Sequence, residues 1–206
     1  MSPKYQAAKT PPAPPCLFSF PSGDVNLLLQ NSADLTTPLS VAASSTALSL
    51  ASPVWKKFLF PPWAPCSNSS VTQIDCTSDS TLALTILLNI AHLKFRLIPR
   101  TLTYETLLQV AILCDQYACA DLVQPWLESW MHLESTVSME EGNEGWLFIA
   151  WVFGRETTFE ELAKKLVLEI RTNKEGECLL KNGDVIPEPM PNGIIGRSEI
   201  FQILKP

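Results

Sequence analysis

The sequence predicts an α+β fold: a small sheet flanked by a cluster of helices, with a C-terminal helical extension. A short apolar run of strand length stands at residues 25–29, and side chains alternate as in strands at 39–43 and 71–76. Between and after them, apolar residues recur at helical spacing, and Ser, Pro and Gly fall where helices start and stop. At 206 residues, 46% apolar and with mean hydropathy +0.12, the chain can bury a core and is globular in composition.

Residues 1–22 read as a disordered leader, because Pro11, Pro12, Pro14, Pro15 and Pro21 are too frequent for a helix or a central strand. Order is expected from Gly23. Residues 25–29 form a first strand, and Leu39, Val41 and Ala43 alternate as a second; the two make a hairpin with a long loop. A helix follows over residues 44–51. Ser52-Pro53 then restarts a second helix, since Ser caps and Pro suits the first helical position. Val54, Trp55, Phe58 and Leu59 form its stripe, and Pro61-Pro62 ends it. Residues 71–76 are the third strand, with Ile74 and Cys76 on one face and Gln73 and Asp75 on the other.

Asp79 or Ser80 is expected to cap the next helix, whose wide apolar band from Leu82 to Leu93 places it mid-core. Tyr104, Leu107, Leu108, Ala111, Cys114 and Ala118 outline another. A further helix begins near Asp121, with Pro125 in its first turn and Trp126 and Trp130 one above the other. An acidic linker leads to a short apolar helix over residues 146–153. The amphipathic segment 157–170 comes next, with a capping box from Thr157 or Thr158 and the pairs Glu160–Lys164 and Glu161–Lys165. From residue 172 on, Gly and Pro predict a flexible tail.

Charge is distributed unevenly. From 101 to 154 there is no Lys or Arg, while Glu105, Asp115, Asp121, Glu128, Glu134, Glu140, Glu141 and Glu144 all fall there. With a net charge of −6 this counts against nucleic acid, whose phosphates such a surface repels. The stretch reads as a solvated acidic face or, more sharply, as a docking face for a basic partner. The six cysteines show no CxxC pair or matching His pattern, so no metal or cofactor is expected. Cys114 and Cys119, five apart, diverge if they share one helix. No apolar run is long enough to span a bilayer, and no secretory signal is visible. An intracellular protein, cytoplasmic or nuclear, is expected.

Specific phrases resemble the BTB/POZ domain in its fungal form. Gly23-Asp24-Val25 looks like that family's turn into its first strand, and Leu48-Ser49-Leu50-Ala51-Ser52-Pro53-Val54-Trp55 resembles its "VLxxxSPxF" segment. Residues 74–92, ending Ile90-Ala91-His92, resemble its strand-to-helix region. Leu113-Cys114-Asp115-Gln116-Tyr117-Ala118-Cys119, with Pro125-Trp126 and Trp130, resembles the "LCDxYxC…PWxxxW" ending, and the likeness continues to residue 170. It implies a BTB/POZ-like domain over 23–131, a helical extension over 132–171 and a tail over 172–206. In some animal relatives an aspartate matching Asp24 and a basic residue line a dimer pocket; here residues 42–47 supply no such base.

The resemblance implies a protein–protein interaction module acting by self-association, as a homodimer, or by scaffolding, without catalysis. Its narrower option is an adaptor docking on a cullin-type ubiquitin ligase. A cysteine hydrolase is the contrasting alternative, but no GxSxG, HExxH or phosphate-cradling loop supports an enzyme. His92 reads as a packed histidine, Tyr117 as core, and Trp55, Trp126 and Trp151 as core tryptophans. The candidate interaction residues are Asp24, the Pro-flanked Trp63, and Glu128 and Glu134 of the acidic face.

Overall fold

A computed structural model describes residues 18–31, 36–61, 73–173 and 178–191. Trp63, Cys16, Cys66, most of the expected leader, positions 71–72 and the end of the expected tail lie outside the described residues.

The fold is mixed α+β. Strands β1 (Val25–Leu29), β2 (Leu39–Ala43) and β3 (Gln73–Cys76) form one sheet in the order β2-β1-β3. β1 runs antiparallel to β2, pairing Val25 with Ala43 and Leu29 with Leu39, and parallel to β3, pairing Asn26 with Gln73 and Leu29 with Cys76. Val25, Leu27, Leu29, Val41, Ala43, Ile74 and Cys76 point into the core while their neighbours face outward, the period of a one-sided sheet. Gly23 enters β1 so tightly that a Cβ there would stand 2.7 Å from the Ala43 nitrogen, a backbone collision only glycine avoids.

The parallel pairing needs a crossover, and helices α1 (Ser45–Ala51) and α2 (Pro53–Leu59) lie within it. Ser52 closes one helix and opens the next: its hydroxyl accepts from Val54 N–H at 3.1 Å and Trp55 N–H at 3.0 Å and donates to Tyr117 O at 2.6 Å. Helix α3 (Thr81–Ala91) is capped by Ser80 and is buried from Ala83 to Ile90. A 3-10 turn over Phe95–Leu97 leads to α4 (Tyr104–Gln116) and α5 (Ala120–Trp130). Trp126 and Trp130 stack with ring centres 6.3 Å apart, as their spacing predicts.

The extension comprises α6 (Glu134–Val137), α7 (Trp146–Val152) and α8 (Glu156–Glu169). α7 packs between α4 and α8, which is why Trp146 to Ala150 are all buried. The expected linker is therefore partly helical. The expected capping box of α8 is absent: the helix starts at Glu156 with Arg155 at its N-cap, so Thr157 and Thr158 both lie inside it, and Thr158 donates to Glu134 Oε1 at 2.6 Å. Glu160 pairs with Lys164 at 3.2 Å, but Lys165 donates to Met139 O rather than meeting Glu161.

Packing reaches past both expected ends of the ordered region. Phe18 is buried edge-on against His92, Phe20 lies 5.0 Å from the same ring, and Phe20 N–H donates to Ala42 O at 3.0 Å. Two phenylalanines thus order part of the proline-rich leader. Beyond α8, β4 (Arg171–Thr172) pairs antiparallel with β5 (Cys178–Leu179), and Ile186 is buried. A turn at Asn182-Gly183-Asp184 returns the chain, with Gly183 at φ +90°.

Candidate interaction surfaces

Asp24 is tied to the fold. Its carboxylate accepts from Ser45 N–H at 2.7 Å and Ser45 Oγ–H at 2.6 Å, pinning the start of α1 to the start of β1. These bonds to Ser45 favour the charged form and lower the Asp24 pKa. Both oxygens are engaged with Ser45, so Asp24 fastens β1 to α1, while the residue itself stays exposed.

Glu134 departs further from expectation. It is buried, and it accepts from Arg155 Nε at 3.0 Å, Arg155 Nη2 at 2.8 Å and Thr158 Oγ1 at 2.6 Å. The first base after the acidic run therefore turns back to neutralise one member of it. A carboxylate is not buried unpaired, so Glu134 belongs to the α6–α8 junction and not to a docking face. Glu128 does stand exposed on α5, as do Glu105, Asp115, Asp121, Glu140 and Glu141. Trp55 is core and Trp126 half-buried, but Trp151 is 38% exposed at the end of α7, contrary to expectation. Seven residues make only two turns, and their buried face is filled by Trp146, Phe148 and Ile149.

The Cys76, Cys114 and Cys119 thiols and the His92 imidazole are built into the packing. Burial drives the Cys76 pKa up to about 12. Cys114 is raised too, first by its hydrogen bond with Cys119 and then by burial. The two cysteines do not diverge: α4 ends at Gln116, Ala118 adopts φ +49°, and Cys119 N–H returns to Cys114 O at 2.9 Å. Thiols held this far from ionisation are poor nucleophiles. His92 has both ring nitrogens engaged, Nδ1–H donating to Leu88 O at 2.8 Å and Nε2 accepting from Ser44 N–H at 2.9 Å. Backbone N–H can only donate and carbonyl only accept, so the ring is held neutral, and burial lowers its pKa. Asp79 is buried and accepts from the Tyr117 hydroxyl and from Gln116 Nε2 at 3.2 Å, joining β3, α3 and α4. Burial and this bond raise the Tyr117 pKa.

What remains open is surface. Leu93, Phe95 and Leu97 are 74%, 52% and 60% exposed within five residues. The segment is nonetheless held firmly. Pro99 O accepts from Trp130 Nε1 at 2.9 Å, Arg100 O from Ser129 Oγ, and the Phe95 ring lies 5.6 Å from Trp126. Leu93 sits at φ +59°, where a residue after α3 turns the chain outward. Leu93, Phe95 and Leu97 alternate with Lys94 and Arg96, which is not helical spacing; Leu93, expected at the end of the mid-core band, is exposed because α3 stops at Ala91. A second open feature is a depression of about 460 Å³ beside Trp151, bordered by Asp115, Asp121 and Val152. Among the described residues no group of His, Cys, Asp and Glu is arranged to hold a metal, and no helix is long and apolar enough to cross a membrane. Set against known families and curated proteins, the chain matches no family model and no curated protein.

Proposed function

We propose that this chain is a protein–protein interaction module, built on a BTB/POZ-like domain and working by self-association or scaffolding. The observation that carries the reading is the pinned segment 93–97, which keeps three large apolar side chains in water on a rigid support. Scattered exposed apolar residues need no explanation, but a cluster on a preorganised turn does. The order of elements supports the BTB/POZ part: a hairpin, a helical pair joined at Ser52-Pro53, a third strand parallel to the first, then helices. Raised thiol pKa values and a histidine with both nitrogens occupied favour binding over cysteine hydrolysis.

Light scattering on the full chain over a concentration series tests the proposal. Mass rising above that of the monomer supports self-association; a strict monomer at every concentration removes it. The cullin-adaptor option has a separate test, retention on a cullin N-terminal domain at micromolar concentration. Retention without self-association would replace the homodimer reading.

A further inference from the structure

Two surfaces of this chain complement each other. The first is the segment from Leu93 to Arg100, where Leu93, Phe95 and Leu97 are exposed and Arg96 and Arg100 extend into solvent without an ion pair among the described residues. Lys94 is engaged at home, donating to Ser19 O with its ammonium 4.4 Å from the Phe18 ring centre. The second surface is the depression beside Trp151, where Asp115 and Asp121 stand exposed and likewise unpaired among the described residues. One surface offers exposed apolar side chains with guanidinium groups; the other is a depression lined by an exposed indole and two carboxylates. No ion pair joins them within the chain.

From this complementarity we infer that the occupant of the acidic depression is a second copy of this chain, contributing its Phe95-Arg96-Leu97 turn. The inference rests on the self-association reading above and names its contact. Arg96 of one copy faces Trp151 and the two aspartates of the other, a setting in which a guanidinium gains both cation–π and charge attraction. Phe95 and Leu97 lose water against Trp151 and Val152. Because the two patches differ, each copy uses a different surface from its partner at any one contact. Each patch is small beside the roughly 1,600 Å² of a standard interface, so the association is weak and sensitive to salt.

The test uses the full chain and two charge-reversed variants, one carrying Arg96→Glu and Arg100→Glu, the other Asp115→Lys and Asp121→Lys. All four positions are exposed, and circular dichroism checks that each variant folds. Sedimentation velocity is run on each alone and on their equimolar mixture. Association of the unchanged chain should weaken about tenfold between low and high salt, and at least about tenfold in each variant alone. Mixing the variants should restore it, because the swapped charges again meet their opposites. Leu97→Gln, which alters no charge, should weaken it as well. An unchanged chain that associates just as its variants do overturns this contact and leaves self-association standing. Weakening without restoration on mixing overturns the pairing of these two patches. A strictly monomeric unchanged chain overturns both the contact and the self-association reading.

Discussion

Replacing Arg155 by Ala tests whether Glu134 belongs to the interior. The Glu134 side chain is 9% exposed and receives two hydrogen bonds of 3.0 Å or less from the guanidinium, plus one from Thr158. A hydrogen bond to a charged group contributes about 1.5–3 kcal/mol, and stripping a fully buried ion of its partner costs about 3–5 kcal/mol. Arg155 is itself 53% exposed, so water can follow the side chain out and screen what remains. The expected loss is therefore about 2 kcal/mol, below the buried-pair range. With a urea dependence of about 1–3 kcal/mol per molar, the unfolding midpoint falls by about 1 M. Arg155→Lys keeps the charge but loses the fork, and should fall between. A double-mutant cycle with Glu134→Gln should return a coupling of about 1 kcal/mol or more. If Arg155→Ala leaves the midpoint unchanged, Glu134 is solvated after all and could serve as the surface contact its place in the acidic run suggests.

Three further outcomes follow from the same geometry. Tyr117→Phe keeps the ring 4.8 Å from Trp55 but takes one donor from the buried Asp79 carboxylate, leaving it Gln116; a loss of about 2 kcal/mol in urea unfolding is expected, and none would mean Asp79 is hydrated. Ala118→Gly relieves a left-handed residue whose side chain is exposed, so stability should rise by about 1 kcal/mol and the melting temperature by about 2–4 °C; a fall would contradict the strain at φ +49°. His92 has its folded pKa below the ordinary value of 6.5, so the unfolded chain takes up the proton first. The contribution of His92 is thus complete above pH 6.5, declines as pH falls from there to the folded pKa, and is constant below it. NMR titration of the imidazole checks this, and a folded pKa at or above 6.5 would refute the neutral, doubly bonded ring.

Periodicity made the elements legible and left their connections dark. The strands at 25–29 and 39–43, the Ser52-Pro53 junction and the stripes of α3, α4 and α8 follow from side-chain spacing and capping chemistry, which are local. Glu134 was misplaced because its partner lies 21 residues on, and composition shows an absence of bases without showing where the next one folds. Trp151 was misplaced because apolarity alone does not say which turn of a two-turn helix is covered. The turn after β5, which brings Val185 back beside Leu179, is within reach of the sequence: Asn182-Gly183 is a turn signal, though Pro187, Pro189 and Pro191 point to a loop. Phe18 and Phe20 find their partner in His92, which no pattern inside the leader encodes.

The features that matter most for binding share one origin. α3, α4 and α7 each end with a left-handed residue, Leu93, Ala118 and Gly154, and a backbone bond closing over the last turn: Lys94 N–H to Asn89 O, Cys119 N–H to Cys114 O and Arg155 N–H to Ala150 O. The first throws the apolar and basic turn into solvent. The second brings Asp115 and Asp121 to one depression, and the third delivers Arg155 to Glu134. Only the third uses glycine, so the other two ends carry a steric cost of about 1–2 kcal/mol that the surrounding packing must offset. The helices keep exposed faces along their lengths, with Glu128 on α5 and Leu168 on α8 open to solvent, but these three ends gather charged and apolar side chains at single turns. Shortening or lengthening α3 by one residue would rotate Phe95 away from Trp126 and remove the support of the exposed turn, while leaving the apolar composition unchanged.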